Sequence, residues 1–117
     1  MKTKYEKKRQ SPRVPVNIEV EWQGLFGKQK GTITEMSQLG CFILCSGEVI
    51  DGETIRATIS TLPNGNVDLT GEVVHHQHDI GFGIRFSGLN AKGKSFLREY
   101  VGSLVKESLK PSDQKMF

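Results

Sequence analysis

The feature that most constrains the fold is a period of two. Apolar and polar residues alternate along Val16-Asn17-Ile18-Glu19-Val20-Glu21-Trp22, as in a strand that buries one face and wets the other. Further short strand-like segments follow, from Gln29 to Met36, Cys41 to Cys45, over 54–61, from about Val67 to Gln77 and from Phe82 to Phe86. Turn residues separate them. Asp51-Gly52 and Asn64-Gly65 are turn pairs, and Ser37-Gln38-Leu39-Gly40 and His78-Asp79-Ile80-Gly81 are bends. Six short strands at regular spacing predict an all-β fold, a closed or nearly closed antiparallel barrel that leaves no long sheet edge exposed.

The period then changes. Phe96, Leu97, Tyr100, Val101, Leu104, Val105 and Leu109 recur at spacings of one, three and four, the stripe of an amphipathic helix. Asn90 is the expected N-cap, and Pro111 stops the pattern. The predicted organisation is a flexible basic arm over 1–13, one domain over 14–110 with its helix at about 90–109, and a disordered tail over 111–117.

With 117 residues, 36% hydrophobic and 25% charged, the chain suits one soluble domain. It has no apolar run of the roughly 18 residues that a spanning helix needs, and its charged N-terminus lacks a secretory h-region. Cytoplasmic residence without membrane insertion is the expectation. Cys41 and Cys45, on one predicted strand, would sit about 13 Å apart, too far for a disulfide. They suit no zinc site and are expected to pack as small residues.

Charge is unevenly placed. Residues 1–13 hold six of the sixteen Lys/Arg and one of the thirteen Asp/Glu, a local +5, so the remaining residues carry −2 of the overall +3. A nucleic-acid binder would be expected to carry its basic stripe on the folded face.

Within the arm, Arg9-Gln10-Ser11-Pro12-Arg13 sets two guanidinium groups four residues apart directly before the first strand. Pro12 disfavours helix there, so the segment reads as an extended lead-in. Guanidinium groups grip phosphate bidentately, stack on bases, and donate a fork to O6 and N7 of guanine. Lys8 stands next to them as a further phosphate contact. The second element is Glu35-Met36-Ser37-Gln38-Leu39-Gly40. If the strand continues through Ser37, Glu35 and Ser37 share an outer face about 6.6 Å apart, with Met36 pointing inward. A carboxylate there can accept from the N1–H and N2–H₂ of guanine, and Gly40 permits close approach to the backbone.

Other candidates are weaker. His75, His76 and His78 lack an evident third partner for a metal. Gly81-Phe82-Gly83 precedes no helix, so it reads as a bend or a tight packing point rather than a phosphate loop. No nucleophile is paired with a base, and a non-enzyme is expected.

Arg-x-x-x-Arg before the first strand, an acidic-x-Ser-x-x-Gly at 35–40 and the closing strand Ile80-Gly81-Phe82-Gly83-Ile84-Arg85-Phe86 together resemble the PilZ domain family in order and spacing, from about Lys8 to Leu104. That resemblance implies a six-stranded β-barrel with a C-terminal helix, and a receptor for the bacterial second messenger cyclic di-GMP. Arg9 and Arg13 would clasp phosphate and guanine, and Glu35, Ser37 and Gly40 would form the facing surface. No other cofactor is implied. The partners would be the nucleotide and a downstream protein, with the receptor a monomer or a ligand-linked dimer acting in motility or biofilm control. Glu35 stands where the family usually has Asp or Asn, which keeps open a related adaptor that does not bind the nucleotide. A small-barrel nucleic-acid binder using the arm is the remaining alternative. Ordering about five arm residues costs on the order of 1–2 kcal/mol each, against roughly 1.5–3 kcal/mol for each charge-assisted hydrogen bond gained. A disorder-to-order closure of the arm on the ligand follows.

Overall fold

The computed structural model describes residues 11–61 and 65–108. Six strands, β1 (Val14–Gly24), β2 (Gly27–Met36), β3 (Gly40–Leu44), β4 (Thr54–Thr61), β5 (Gly65–Gln77) and β6 (Gly81–Phe86), close into a barrel in the order β1-β2-β3-β6-β5-β4. Every neighbouring pair is antiparallel. The barrel expected from the alternation is therefore present, with β1 extending further at both ends than the alternation marks.

Alternation decides what is inside. Val20 and Trp22 on β1, Ile33 and Met36 on β2, and Cys41 and Ile43 on β3 point into the barrel and are buried. The Trp22 and Phe82 rings meet edge-on, with centroids 4.9 Å apart and planes at 76°, the geometry that sets ring edge against ring face. Cys41 and Cys45 are free thiols. Burial pushes the Cys41 thiol up to about 12.

Because β3 pairs with β6 rather than β4, residues 45–53 must carry the chain across to the far side of the sheet. This crossover is fastened by Glu53, only 7% exposed. Its carboxylate accepts the Leu25 N–H at 2.8 Å and the Ile50 N–H at 2.7 Å. Two peptide donors thus replace the water that burial removes, tying the β1–β2 turn to the crossover.

The helix begins where expected. Asn90 is extended, and its Oδ1 accepts the Gly93 N–H at 2.7 Å, satisfying one of the free donors of a helix start. An α-helical stretch α1 (Ala91–Phe96) passes into a π-helical segment (Leu97–Val101) and then α2 (Gly102–Ser108). Leu97 and Val101 are buried in the barrel core, so the apolar stripe covers the barrel as its spacing predicts. Gln38 Nε2 donates to the Leu97 carbonyl at 3.0 Å, an oxygen within the π-helical segment, where the usual ladder is rearranged.

Two measurements test this account. Glu53→Ala strands two N–H donors and is expected to lower stability by about 3 kcal/mol, read by urea denaturation. A raised thiol pKa means scarce thiolate at any pH below it, so Cys41 should resist iodoacetamide at pH 8 in the native protein and react once urea unfolds it.

Candidate functional site

The start of β1 lies against the end of β2, with Val14 opposite Met36 and Pro15 opposite Glu35. That register brings Arg13 beside Glu35, and Arg13 Nη1 lies 3.6 Å from Glu35 Oε1. Both side chains are exposed, at 74% and 47%, so the pair contributes at most about 1 kcal/mol.

From Glu35 a row of outward positions runs across the sheet. Glu35 faces Phe42, Phe42 faces Gly83, and Gly83 faces His75. On the adjacent outward row Arg85 faces Gly40. Between Val73 and His75 the β5 ladder shifts by one residue, a bulge that places Val74 outward at 54% exposure. These side chains border a hollow of about 370 Å³ whose rim includes Arg13, Glu35, Phe42, Val74, His75 and Arg85. Two guanidinium groups against one carboxylate give it a positive balance. A larger hollow of about 660 Å³ lies near the β1–β2 turn, but its buried carboxylate, Glu53, is already committed to Leu25 and Ile50.

The sequence-predicted residues separate into three groups. Arg13 and Glu35 come together on the rim. Arg9 and Lys8 lie outside the described residues. Ser37 and Gly40 border the hollow but differ from expectation in what they do. β2 ends at Met36, so Ser37 does not share an outer strand face with Glu35. It is 7% exposed, and its Oγ accepts the N–H groups of Leu39 at 3.0 Å and Gly40 at 3.2 Å, while its N–H donates to the Gly40 carbonyl at 2.9 Å. A serine hydroxyl capping its own turn satisfies donors that a strand would have paired. At Gly40 an added Cβ would collide with the Ile84 carbonyl of β6. The missing side chain there makes room for the neighbouring strand.

Arg85, His75, Phe42 and Val74 were not singled out as site residues by the sequence. They come from strands far apart in the chain and meet because β3, β6 and β5 lie side by side. The signal that was available is parity: Phe82 and Ile84 point inward, so Gly83 and Arg85 must point outward. His76 and His78 sit with ring centroids 6.2 Å apart. Among the described residues no three His, Cys, Asp or Glu side chains are placed to hold a metal ion. No described helix is long and apolar enough to cross a membrane.

Six closed strands, a helix packed on the core and an arginine-edged hollow place the chain among small β-barrels with a side-chain-lined site on the outer wall. A model of the PilZ domain matches residues 7–103. The chain belongs to the PilZ domain family, whose members are binding and adaptor domains. Solved structures with the same fold include the PilZ domain of CeSA from a cellulose-synthesizing bacterium, at TM-score 0.64 and 17% identity, covering 81% of this chain and 99% of that one. The PilZ domain of YcgR from Escherichia coli, solved with c-di-GMP, aligns at TM-score 0.68 and 12% identity over 92% of this chain and 99% of that one. The Bacillus subtilis inhibitor of motility MotI/DgrA aligns at TM-score 0.66 and 15% identity over 87% of this chain, which spans 53% of that protein. No curated protein matches the sequence.

Ser37→Ala should destabilise the domain, because the part-buried N–H donors of Leu39 and Gly40 lose their acceptor. The expected cost is about 1–3 kcal/mol, seen as a melting temperature lower by several degrees without ligand.

Proposed function

We propose that this protein is a cyclic di-GMP receptor that draws its basic N-terminal segment onto the barrel and signals through a protein partner in the cytoplasm. The observation that carries this is the placement of Arg13 beside Glu35 at the rim of a hollow that Arg85 also borders. A solved relative of the same fold is described with c-di-GMP bound, and the Arg-x-x-x-Arg and Glu-x-Ser-x-x-Gly residues fall within the family match.

The energetics favour an exchange of partners. Arg13 and Glu35 hold each other by an exposed ion pair worth at most about 1 kcal/mol. A phosphate offered to Arg13 forms bidentate, charge-assisted hydrogen bonds worth roughly 1.5–3 kcal/mol apiece. Glu35, released, becomes an acceptor for the N1–H and N2–H₂ of guanine. The ligand thus separates the pair and engages both halves. Arg9 and Lys8 add cations to the same clamp. Ser37 and Gly40 contribute by shaping the turn that holds Glu35 in place, and closure of the segment creates the surface that a partner reads.

A second reading, an adaptor that does not bind the nucleotide, draws on two observations: Glu35 is already engaged by Arg13, and the Ser37 hydroxyl is taken up by its own turn. Calorimetry with cyclic di-GMP separates the two. The receptor predicts a heat of binding at micromolar concentration that Arg13→Ala weakens at least tenfold. No heat with the native chain transfers the assignment to the adaptor.

A further inference from the structure

The loop joining β1 to β2 is a hairpin tip filled by residues that no turn requires. Gly24 and Gly27 pair at its base, and Gly27, at φ 110°, supplies the backbone freedom that such loops draw from Gly, Asn or Asp. The two positions between them hold Leu25 and Phe26, 68% and 63% exposed. Neither belongs to the core or packs against it, so the fold gains nothing from their apolar character. Turn loops ordinarily carry polar or small side chains at such points.

The tip is nonetheless held firmly. The Glu53 carboxylate accepts the Leu25 N–H on one oxygen and the Ile50 N–H on the other. It comes close because Gly24 has no side chain: an added Cβ there would strike Glu53 Oε2. Burying a carboxylate is costly. Here it fixes the backbone beneath a set of outward apolar side chains, since Ile50 is itself 53% exposed. An apolar surface fixed in advance has less freedom to lose on docking.

The surroundings select the occupant. In the row below the tip, Lys28 faces Gln23 and Gln23 faces Arg56. These two exposed cations form no ion pair among the described residues. Glu48 and Asp51, both exposed, flank Ile50 along the crossover. An anionic membrane would attract the first pair and repel the second. A protein can set an acid opposite one and a base opposite the other. Leu25, Phe26 and Ile50 together present apolar area on the order of a few hundred Å². That is well under the roughly 800 Å² per partner of a stable interface, and too little to hold a lasting dimer of this chain.

We infer that Leu25, Phe26 and Ile50 form a plug that docks into an apolar cleft of a protein partner, with an acidic lip of that cleft facing Lys28 and Arg56. This rests on the protein partner that both readings above share, and it assigns the place where that partner is held. Arg13 and the tip stand at opposite ends of β1, an 11-residue strand. The dock is therefore separate from the arm and holds the partner with or without nucleotide.

The test places the photoreactive residue p-benzoylphenylalanine at position 26 of the full chain in its native host, with position 106 as an exposed control. A protein cross-linked at position 26 is identified by mass spectrometry and purified. It is then titrated by calorimetry against the native chain, Leu25→Ser/Phe26→Ser and Lys28→Glu/Arg56→Glu, with and without cyclic di-GMP. The dock predicts a protein adduct that position 106 does not give. It also predicts binding without nucleotide, weakened at least tenfold by the serine pair and severalfold by the charge reversals, while melting temperature and affinity for cyclic di-GMP stay native. No adduct, an adduct with lipid or with a second copy, or a purified protein that binds the serine pair as tightly as the native chain overturns the dock and leaves the receptor standing. A serine pair that melts well below native overturns it too, by giving the tip a structural duty. Binding that requires the nucleotide overturns the separation from the arm. Absence of cyclic di-GMP binding by the native chain removes the receptor and leaves the dock to the adaptor.

Discussion

The structure depends on closure of the sheet at the seam between β1 and β4. Among the described residues three pairs form that seam, Glu21 with Thr58, Trp22 with Ala57 and Gln23 with Arg56. Its middle member, Trp22, also sends its ring into the core against Phe82. One residue thus joins the backbone pairing that removes the sheet edge to the packing that fills the barrel. With the seam shut, the outer wall made by β2, β3, β6 and β5 has a set curvature, and the side chains on it have fixed neighbours.

The hollow is built on that wall, which gives the two sides of the site different mechanical characters. Phe42, Gly83, Val74 and His75 stand on paired strands, and the turn holding Ser37 and Gly40 is locked by the serine hydroxyl and by the packing of Gly40 against Ile84. Gln38 fastens the same turn to the helix through the Leu97 carbonyl. Arg13, by contrast, precedes β1 and is held at the site by an exposed ion pair. A rigid wall facing a weakly held cation lowers the energy needed to exchange partners at the rim, while little of the wall has to be ordered on binding.

Much of this was legible from order along the chain. The two-residue period located all six strands, and the shift to helical spacing located the segment that covers the core, capped at Asn90 as its side chain and position indicate. Arg13 and Glu35 were legible because each sits in a short local pattern. The role of Ser37 was not. Glu-Met-Ser continues the strand alternation as well as it begins a turn, and only the hydrogen bonds from Leu39 and Gly40 decide between them. Arg85 and His75 were illegible for another reason: each reads locally as a solvated strand residue, and what makes them neighbours of Glu35 is the β3-β6-β5 order, which no local spacing encodes.

The β5 bulge bears on how such a wall can diverge. With one surplus residue between Val73 and His75, two consecutive side chains, Val74 and His75, open toward the hollow, while His76 stays opposite Phe82. Removing a single codon at Val74 would restore an uninterrupted ladder and leave the inward set of the barrel unchanged, yet it would strip the apolar ledge from the cavity. Length variation at this one point can therefore retune the shape of the recess while sparing the interior, a route to altered selectivity that point substitutions in the barrel core do not offer.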